Sequence, residues 1–289
     1  MTSNASSYKA TAEQRARAER FSELHQREQL FMLPNPWDIG SARMLAALGF
    51  EALATTSAGY AFAQGKLDSI GSVTREEALA HAKEIVQATV LPVSADLENG
   101  YGDSPEAVQQ TIYMAAEAGL VGCTIEDTTG SASKPIYDKS FAIERIAAAV
   151  EAVNNLDFPF LLTARAENYL HGRPDLADTI ERLQGYESVG ADVLYAPGLP
   201  DVKTIKSICE SVSKPVNVVA GIALRGVSVS DLQQCGVQRI STGSSLARTA
   251  IGSMLDAARQ ILSEGRFDAF ESAASFKEIE SLISKAPVR

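Results

Sequence analysis

The sequence predicts an α/β chain folded as a (β/α)8 barrel, and three observations carry that prediction. Short apolar segments alternate strictly with amphipathic ones, eight pairs in all, and about 250 residues is the usual size of such a barrel. A recurrent join runs from an amphipathic stretch through a glycine into an apolar strand. It is seen at Leu48-Gly49-Phe50, Ala118-Gly119-Leu120, Val189-Gly190-Ala191 and Cys235-Gly236-Val237. Glycine there suits the left-handed position just past a helix, with the next strand two or three residues on. Finally, three successive strand-like segments end in acids or in an arginine, and strand ends gather on the barrel face that holds active sites.

In chain order, strands are expected near 31–33, 52–55, 93–96, 122–126, 160–165, 193–196, 216–219 and 239–242. Helices are expected near 39–48, 74–89, 105–118, 140–154, 176–189, 201–211, 228–235 and 245–264. Several strands are apolar on both faces, as parallel strands covered by helices should be. Between the second strand and its helix, residues 59–72 form a long connection with three glycines (Gly59, Gly65, Gly71), a length that suggests function. Residues 1–12 are polar and expected to fray. The extension 265–289, with a helix near 270–285, follows the eighth pair. Its apolar side needs cover, which a neighbouring subunit can supply. No Ser/Gly/Pro linker divides the chain, so residues 1–289 are expected to form a single domain.

Composition excludes some function classes. A net charge of -10 argues against nucleic acid, which attracts basic surfaces. No apolar run reaches the ~20 residues of a membrane span, and no signal core is evident, so a cytoplasmic protein is expected. Cys123, Cys209 and Cys235 share no metal spacing and read as reduced, non-catalytic thiols.

The chemistry-bearing residues cluster at the strand ends. Asp96 and Glu98 flank Leu97, and alternation would put both on one side of the third strand. Glu126 ends the fourth. Three acids on neighbouring strand ends repel unless a cation lies among them, and Mg2+ takes such oxygen ligands while keeping several waters. Arg165 ends the fifth strand. Its planar donors suit a substrate carboxylate, or a structural pair with Glu126 or Glu167, or both. Backbone N–H groups of Thr55-Thr56-Ser57-Ala58-Gly59 are placed to hold a carboxylate or oxyanion. Ser241-Thr242-Gly243-Ser244-Ser245 opens a helix, as a phosphate site or an ordinary cap. Trp37 either walls the pocket or packs beneath the first helix, and Asn217 is a further candidate wall. His25 and His81 read as surface residues; His171 lies close enough in sequence to Arg165 to approach the site mouth.

Asp96-Leu97-Glu98-Asn99-Gly100-Tyr101-Gly102, Ile125-Glu126-Asp127 and Ala164-Arg165-Ala166-Glu167 together resemble the motifs of the isocitrate lyase / phosphoenolpyruvate mutase superfamily. The first is close to that family's D-x-D-x-G-Y-G, and the order and spacing match over roughly residues 30–265. Leu33-Pro34-Asn35-Pro36-Trp37-Asp38 resembles the phosphonomutase-like branch. The resemblance implies a barrel that exchanges its eighth helix with a neighbour, giving a dimer of helix-swapped dimers. It implies Mg2+, with Mn2+ as a substitute, near Asp68, Asp96, Glu98 and Glu126. It also implies that Arg165 and the Ser57-Ala58-Gly59 backbone bind an α-oxo acid or its enolate oxygen. One departure stands out. The family's carbon–carbon lyases carry K-[KR]-C-G-H in the loop after the fourth strand; here that loop reads Thr128-Thr129-Gly130-Ser131-Ala132-Ser133-Lys134-Pro135-Ile136-Tyr137-Asp138. The cysteine position is Lys134, the expected lysine is Ala132, and the asparagine of the phosphonomutases is absent as well. Isocitrate lyase and methylisocitrate lyase activities are therefore not expected. Lys134 or Tyr137 stands as the proton donor beside Arg165 and Glu126.

The expected function is a Mg2+-dependent lyase acting on a small α-oxo acid through an enolate. Decarboxylation of an oxaloacetate-like substrate needs the least machinery. The alternatives are a phosphoenolpyruvate–phosphonopyruvate mutase or a phosphonopyruvate hydrolase, and a protein that binds oxo acids without turning them over.

Overall fold

A computed structural model describes residues 8–69, 71–221 and 224–286. Residues 1–7 of the expected N-terminal tail and 287–289 of the C-terminal extension lie outside the described residues. The strands are β1 (Phe31–Leu33), β2 (Leu53–Ala54), β3 (Val93–Asp96), β4 (Gly122–Glu126), β5 (Leu161–Arg165), β6 (Val193–Tyr195), β7 (Val216–Val219) and β8 (Arg239–Ser241). The helices are α1 (Ala12–Gln26), α2 (Ile39–Ala47), α3 (Ser57–Ala63), α4 (Arg75–Ala88), α5 (Pro105–Glu117), α6 (Lys139–Asn154), α7 (Leu176–Ser188), α8 (Val202–Ser211), α9 (Val229–Gln234), α10 (Ser245–Glu264) and α11 (Phe276–Lys285).

All paired strands run parallel, in the order β1-β8-β7-β6-β5-β4-β3-β2. The sheet is a nearly closed barrel. Its remaining seam, between β1 and β2, is bridged by Ala54 N donating to Pro34 O at 3.1 Å and by Asn35 Nδ2 donating to Thr55 O at 2.8 Å. Pro34 and Pro36 carry no N–H, so a regular ladder cannot continue there. The helices begin where the sequence supplies caps. Thr74 and Glu77 form a reciprocal capping box on α4, and Ser104 caps α5 ahead of Pro105. They end where left-handed backbone is needed: Gly119 has φ +91° and Gly190 +106°, values a side chain would resist. The strands are buried on both faces, β6 and β8 along their whole length.

Two helices, α1 and α3, lie outside the expected eight and the expected C-terminal helix. α1 closes the N-terminal end of the barrel. Phe21 packs edge-on against Phe31, and a side chain at Gly122 would come within 3.1 Å of its ring. Gln14 donates from Nε2 to Ala116 O and Leu120 O, both at 2.9 Å, tying α1 to the end of α5 and to the residues that lead into β4. The expectation of a loose tail up to residue 12 is corrected for its described part: Tyr8 OH donates to Gln14 Oε1, and Ala10 N donates to Asp157 Oδ1. α3 occupies the start of what reads in sequence as a loop. At the other end of the chain, a short 3-10 helix (Asp268–Ser272) and α11 replace one continuous helix, because Ser275 caps a new start. α11 lies against α2. α10 buries only Ala247 and leaves Met254, Leu255 and Leu262 exposed. Among the described residues no helix is long and apolar enough to cross a membrane. The cysteines are free thiols; Cys123 and Cys235 are buried in the packing between strands and helices.

The surface assignment of His25 and His81 is wrong, and the reason is that both lie on helix faces turned inward. His25 is wedged between Phe21 and Phe31, with Nδ1 on Phe21 O at 2.8 Å and Nε2 facing Arg239 Nη1 at 3.2 Å. His81 stacks on Tyr60 and reaches Trp37 O at 3.0 Å. Burial, reinforced by the Arg239 charge, holds the His25 pKa down to about 3. An unfolded histidine titrates near 6.5. Between those values the unfolded chain takes up a proton that the folded one refuses. The contribution of His25 is thus fully present above pH 6.5 and is lost as pH falls toward 3. Melting temperatures measured from pH 7 to 4 should fall more steeply for the wild type than for His25→Gln. Parallel curves would show that His25 is not buried uncharged.

Candidate functional site

The acids expected at the strand ends do converge on Arg165. Its Nη1 lies 3.3 Å from Glu126 Oε2 and 3.9 Å from Asp96 Oδ1, and its Nε donates to Glu167 Oε1. The guanidinium also sits 5.2 Å from the centre of the Tyr195 ring. Burial works against its charge, but Glu167 and Glu126 outweigh burial and hold Arg165 firmly protonated. Asp96 is aimed by its neighbours. Ser57 donates to Asp96 Oδ2 from its hydroxyl at 2.8 Å and from its backbone N–H at 3.2 Å, and Asp96 N donates to Thr55 Oγ1 at 3.1 Å.

Glu98 reaches the site by a different route from the expected strand alternation. β3 ends at Asp96, and Glu98 stands in the following turn with φ +48°. Tyr101 has φ +58°. Non-glycine residues avoid this region, and such strain persists only where surrounding structure enforces it. The enforcing group is Arg145. Fully buried, it donates to the carbonyls of Asn99, Gly102, Asp103 and Glu126. Glu126 N also donates to Glu98 O at 2.9 Å. Asp127 does the same work on the other side: Oδ1 accepts from Glu167 N at 2.8 Å, while Oδ2 accepts from Arg182 Nη1 at 2.9 Å and from Tyr186 OH at 2.7 Å.

Two cavities open from this cluster. One of about 390 Å3 is lined by Asp68, Glu98, Glu126, Glu167 and His171, and is roofed by Gly130, Ser131 and Ala132 of the β4–α6 loop. The other, about 290 Å3, is lined by Ser57, Ala58, Asp68, Asp96 and Arg165 on one part of its wall. The acids leave oxygens without partners: Asp96 Oδ1 and Glu98 Oε2 are buried and accept no hydrogen bond. Burial first, then Asp96 and Asp68, push the Glu98 carboxyl up to about 8, and burial raises Glu126 despite the opposing Arg165. Orphaned, mutually repelling carboxylate oxygens fit a divalent cation. Among the described residues no group of three or more His, Cys, Asp or Glu side chains is arranged to hold a metal ion by itself, so water ligands would have to complete any shell.

Several sequence candidates are not brought here. Lys134 pairs with Asp138 on the exposed side of its loop and lines neither cavity. Tyr137 is buried; its OH donates to Asp103 and accepts from Asn99 Nδ2 at 3.2 Å, and its ring lies under Arg145. It braces the Glu98 turn from outside the cavities. Trp37 packs beside α3 rather than in the mouth. A Cβ on Gly59 would meet Thr56 Cγ2 at 2.5 Å, Trp37 Cβ at 3.3 Å and Ala247 Cβ at 3.4 Å, so Gly59 is there for close approach. Its N–H caps onto Thr56 Oγ1, leaving Ser57 and Ala58 as the members of that trio on the cavity wall. Asn217 lies deeper, donating to Ser241 Oγ at 3.0 Å and accepting from Arg239 Nε at 2.8 Å. The start of α10 is no phosphate cup either, since Thr242 N and Gly243 N both donate to Asn35 Oδ1 at 2.9 Å.

Other residues do reach the site. His171 faces Thr128 Oγ1 at 3.2 Å and Glu167 Oε2 at 3.6 Å within the larger cavity. Glu167 is the strongest partner of Arg165, and the A-R-A-E spacing was its only signal. The β4–α6 loop is a hairpin: Thr128 and Ile136 bridge antiparallel, Tyr137 N donates to Asp127 O at 2.8 Å, and Thr129 N donates to Pro135 O at 2.9 Å.

Removing one partner of a buried ion pair costs about 3 kcal/mol or more, whereas an exposed pair contributes under about 1 kcal/mol. Urea unfolding should therefore show Asp127→Ala destabilised by about 3 kcal/mol and Lys134→Ala by under about 0.5 kcal/mol. Similar losses in both would contradict the placement of these two residues.

Comparisons with known proteins identify the family. The family model described as phosphoenolpyruvate phosphomutase matches residues 21–262. A crystal structure from Burkholderia cenocepacia, assigned provisionally as a lyase/mutase, superposes with a TM-score of 0.92 at 50% identity, covering 96% of this chain and 100% of that one. The 2-methylisocitrate lyase of Halalkalibacterium halodurans is 28% identical over 282 residues, 94% of this chain and 91% of its own. The oxaloacetate decarboxylase of a Marinomonas species is 28% identical over 251 residues, 84% of this chain and 85% of its own. The chain belongs to the phosphoenolpyruvate mutase family, within the isocitrate lyase / phosphoenolpyruvate mutase superfamily of lyases and mutases, and is an enzyme of that class.

Proposed function

We propose that this enzyme is a divalent-cation-dependent lyase that cleaves a carbon–carbon bond of a small α-oxo acid through an enolate, as in decarboxylation of oxaloacetate. The observation that carries the reading is Arg165 set among Asp96, Glu98 and Glu126, with buried oxygens of two of these acids unpartnered. Asp96 and Glu98, with Asp68 and Glu126 nearby, would hold Mg2+ or Mn2+ together with water. The cation would polarise the oxo group and stabilise the negative charge that develops on it. Arg165 receives the substrate carboxylate beside the Ser57-Ala58 turn. The β4–α6 hairpin roofs the cavity and keeps water from the reacting carbon. His171 carries the proton that quenches the enolate, in place of the lyase cysteine and of Lys134 and Tyr137, which lie elsewhere. The relatedness to an oxaloacetate decarboxylase supports this choice among the family's reactions.

The exposed apolar residues of α10 and the 3-10 helix, among them Leu262 and Phe267, are proposed to be covered by a second copy, as the family's helix exchange implies.

With Mg2+ present, 1H NMR should show pyruvate forming from oxaloacetate faster than in buffer. EDTA should stop it, and Mg2+ or Mn2+ should restore it. Glu98→Gln and Arg165→Gln should each lower kcat/KM by roughly 100-fold or more. His171→Asn should lower kcat by about 100-fold with KM little changed. A wild-type rate no greater than that of Glu98→Gln would sink the lyase reading. Phosphate release or isomerisation in a parallel 31P experiment with phosphonopyruvate would move the enzyme to phosphorus–carbon chemistry.

A further inference from the structure

The 290 Å3 cavity has more wall than oxaloacetate can use. Beyond Ser57, Asp96 and Arg165 it is lined by apolar residues from three strand ends: Leu170 after β5, Pro197 and Leu199 after β6, and Val219 and Leu224 around the end of β7. The α10 wall carries Arg248. This side chain is exposed, and among the described residues it makes no ion pair or side-chain hydrogen bond. Of the backbone donors ahead of α10, Thr242 N and Gly243 N are spent on Asn35 and Ser245 N on Thr242 O at 3.0 Å, and Arg248 is the cationic side chain on this wall. Arg165, by contrast, is committed to the oxo-acid head and to three acids.

A cavity with a polar head, an apolar middle and one unpaired cation is complementary to an elongated, doubly anionic molecule. Pockets that bind small ligands commonly combine apolar walls with a few placed polar groups, and a guanidinium is well shaped for a carboxylate. We propose that Arg248 is a specificity residue: it receives a second anionic group at the end of an apolar arm that lies against Leu170, Leu199 and Leu224, so the preferred substrates are α-oxo or α-hydroxy diacids longer than oxaloacetate. This rests on the oxo-acid reading of the preceding section and narrows it to a substrate class.

The test is calorimetric binding of three probes to the full chain with Mg2+: pyruvate, 2-oxohexanoate and 2-oxohexanedioate. The two six-carbon acids differ only in the terminal carboxylate. For the wild type, 2-oxohexanoate should bind more tightly than pyruvate, by up to about fourfold per buried methylene. 2-Oxohexanedioate should bind roughly tenfold or more tightly than 2-oxohexanoate, the usual gain from a charge-assisted hydrogen bond. Arg248→Gln should shrink the gap between the two six-carbon acids to within twofold, and Arg248→Lys should keep part of it. Arg248 is exposed, so neither substitution threatens folding. Equal affinity of the two six-carbon acids for the wild type, or a gap that survives Arg248→Gln, overturns this proposal while leaving the oxo-acid reading in place. No binding of any probe overturns both, and Arg165→Gln, which should weaken all three alike, separates the head contact from the arm.

Discussion

One buried guanidinium sets the shape of the acid-bearing rim. Arg145 reaches from α6 beneath the turn that follows β3, gathering carbonyls of that turn and the last carbonyl of β4. Carbonyls pointing at a common centre repel one another unless a donor-rich cation fills it, and arginine offers five donors in a fixed fork. The left-handed backbone of Glu98 and Tyr101 is affordable only because this fork and the Tyr137–Asp103–Asn99 contacts outweigh the strain. Glu98 thereby lines the larger cavity from the turn after β3, while Asp96 lines the other from the last position of the strand.

The charge balance of the barrel follows from that arrangement. Asp96, Glu98, Glu126 and Glu167 crowd round Arg165 where water is scarce, and burial with mutual repulsion favours the protonated forms of Glu98 and Glu126. Deeper in the stem the sign reverses. Arg239 is buried with Asn217, Thr163 and His25 as partners, none of them anionic, so a protonated His25 would set two positive charges side by side. A neutral His25 is what such a neighbour requires, which ties the helix that closes the barrel's floor to the electrostatics of its interior.

Much of this was readable from the chain. The eight strands and their helices fall within a residue or two of the positions expected from apolar periodicity and the recurrent glycine, because both signals are local. The acids and Arg165 were readable because strand ends must share one face. What was not readable depended on tertiary contacts. α3 is hidden by Ala58, Gly59 and Ala61, small residues that look like loop, and at Gly59 a side chain would crowd Thr56, Trp37 and Ala247 of α10. His25 and His81 sit in helices of mostly polar sequence, yet on inward faces shared with Phe21 and Leu24 in α1 and with Leu79, Ile85 and Val86 in α4. Tyr137 and Lys134 share a loop with the roof of the site, yet the hairpin's pairing turns both away from it. His171 carries no motif, and it enters the cavity only because the turn after β5 folds back toward Thr128.

The β4–α6 hairpin has a consequence for how the site closes. Ordering a free loop residue costs about 1–2 kcal/mol of backbone entropy, so a long coil folding over a ligand would spend much of its binding energy on itself. Here the base is already zipped by the Thr128–Ile136 bridge, and the tip is held by Ser131 N donating to Thr129 Oγ1 at 3.0 Å and Lys134 N donating to Ser131 O at 3.3 Å. Closure then resembles a hinged flap rather than a coil-to-order transition. Little backbone entropy is then left to lose when a small ligand binds beneath the loop.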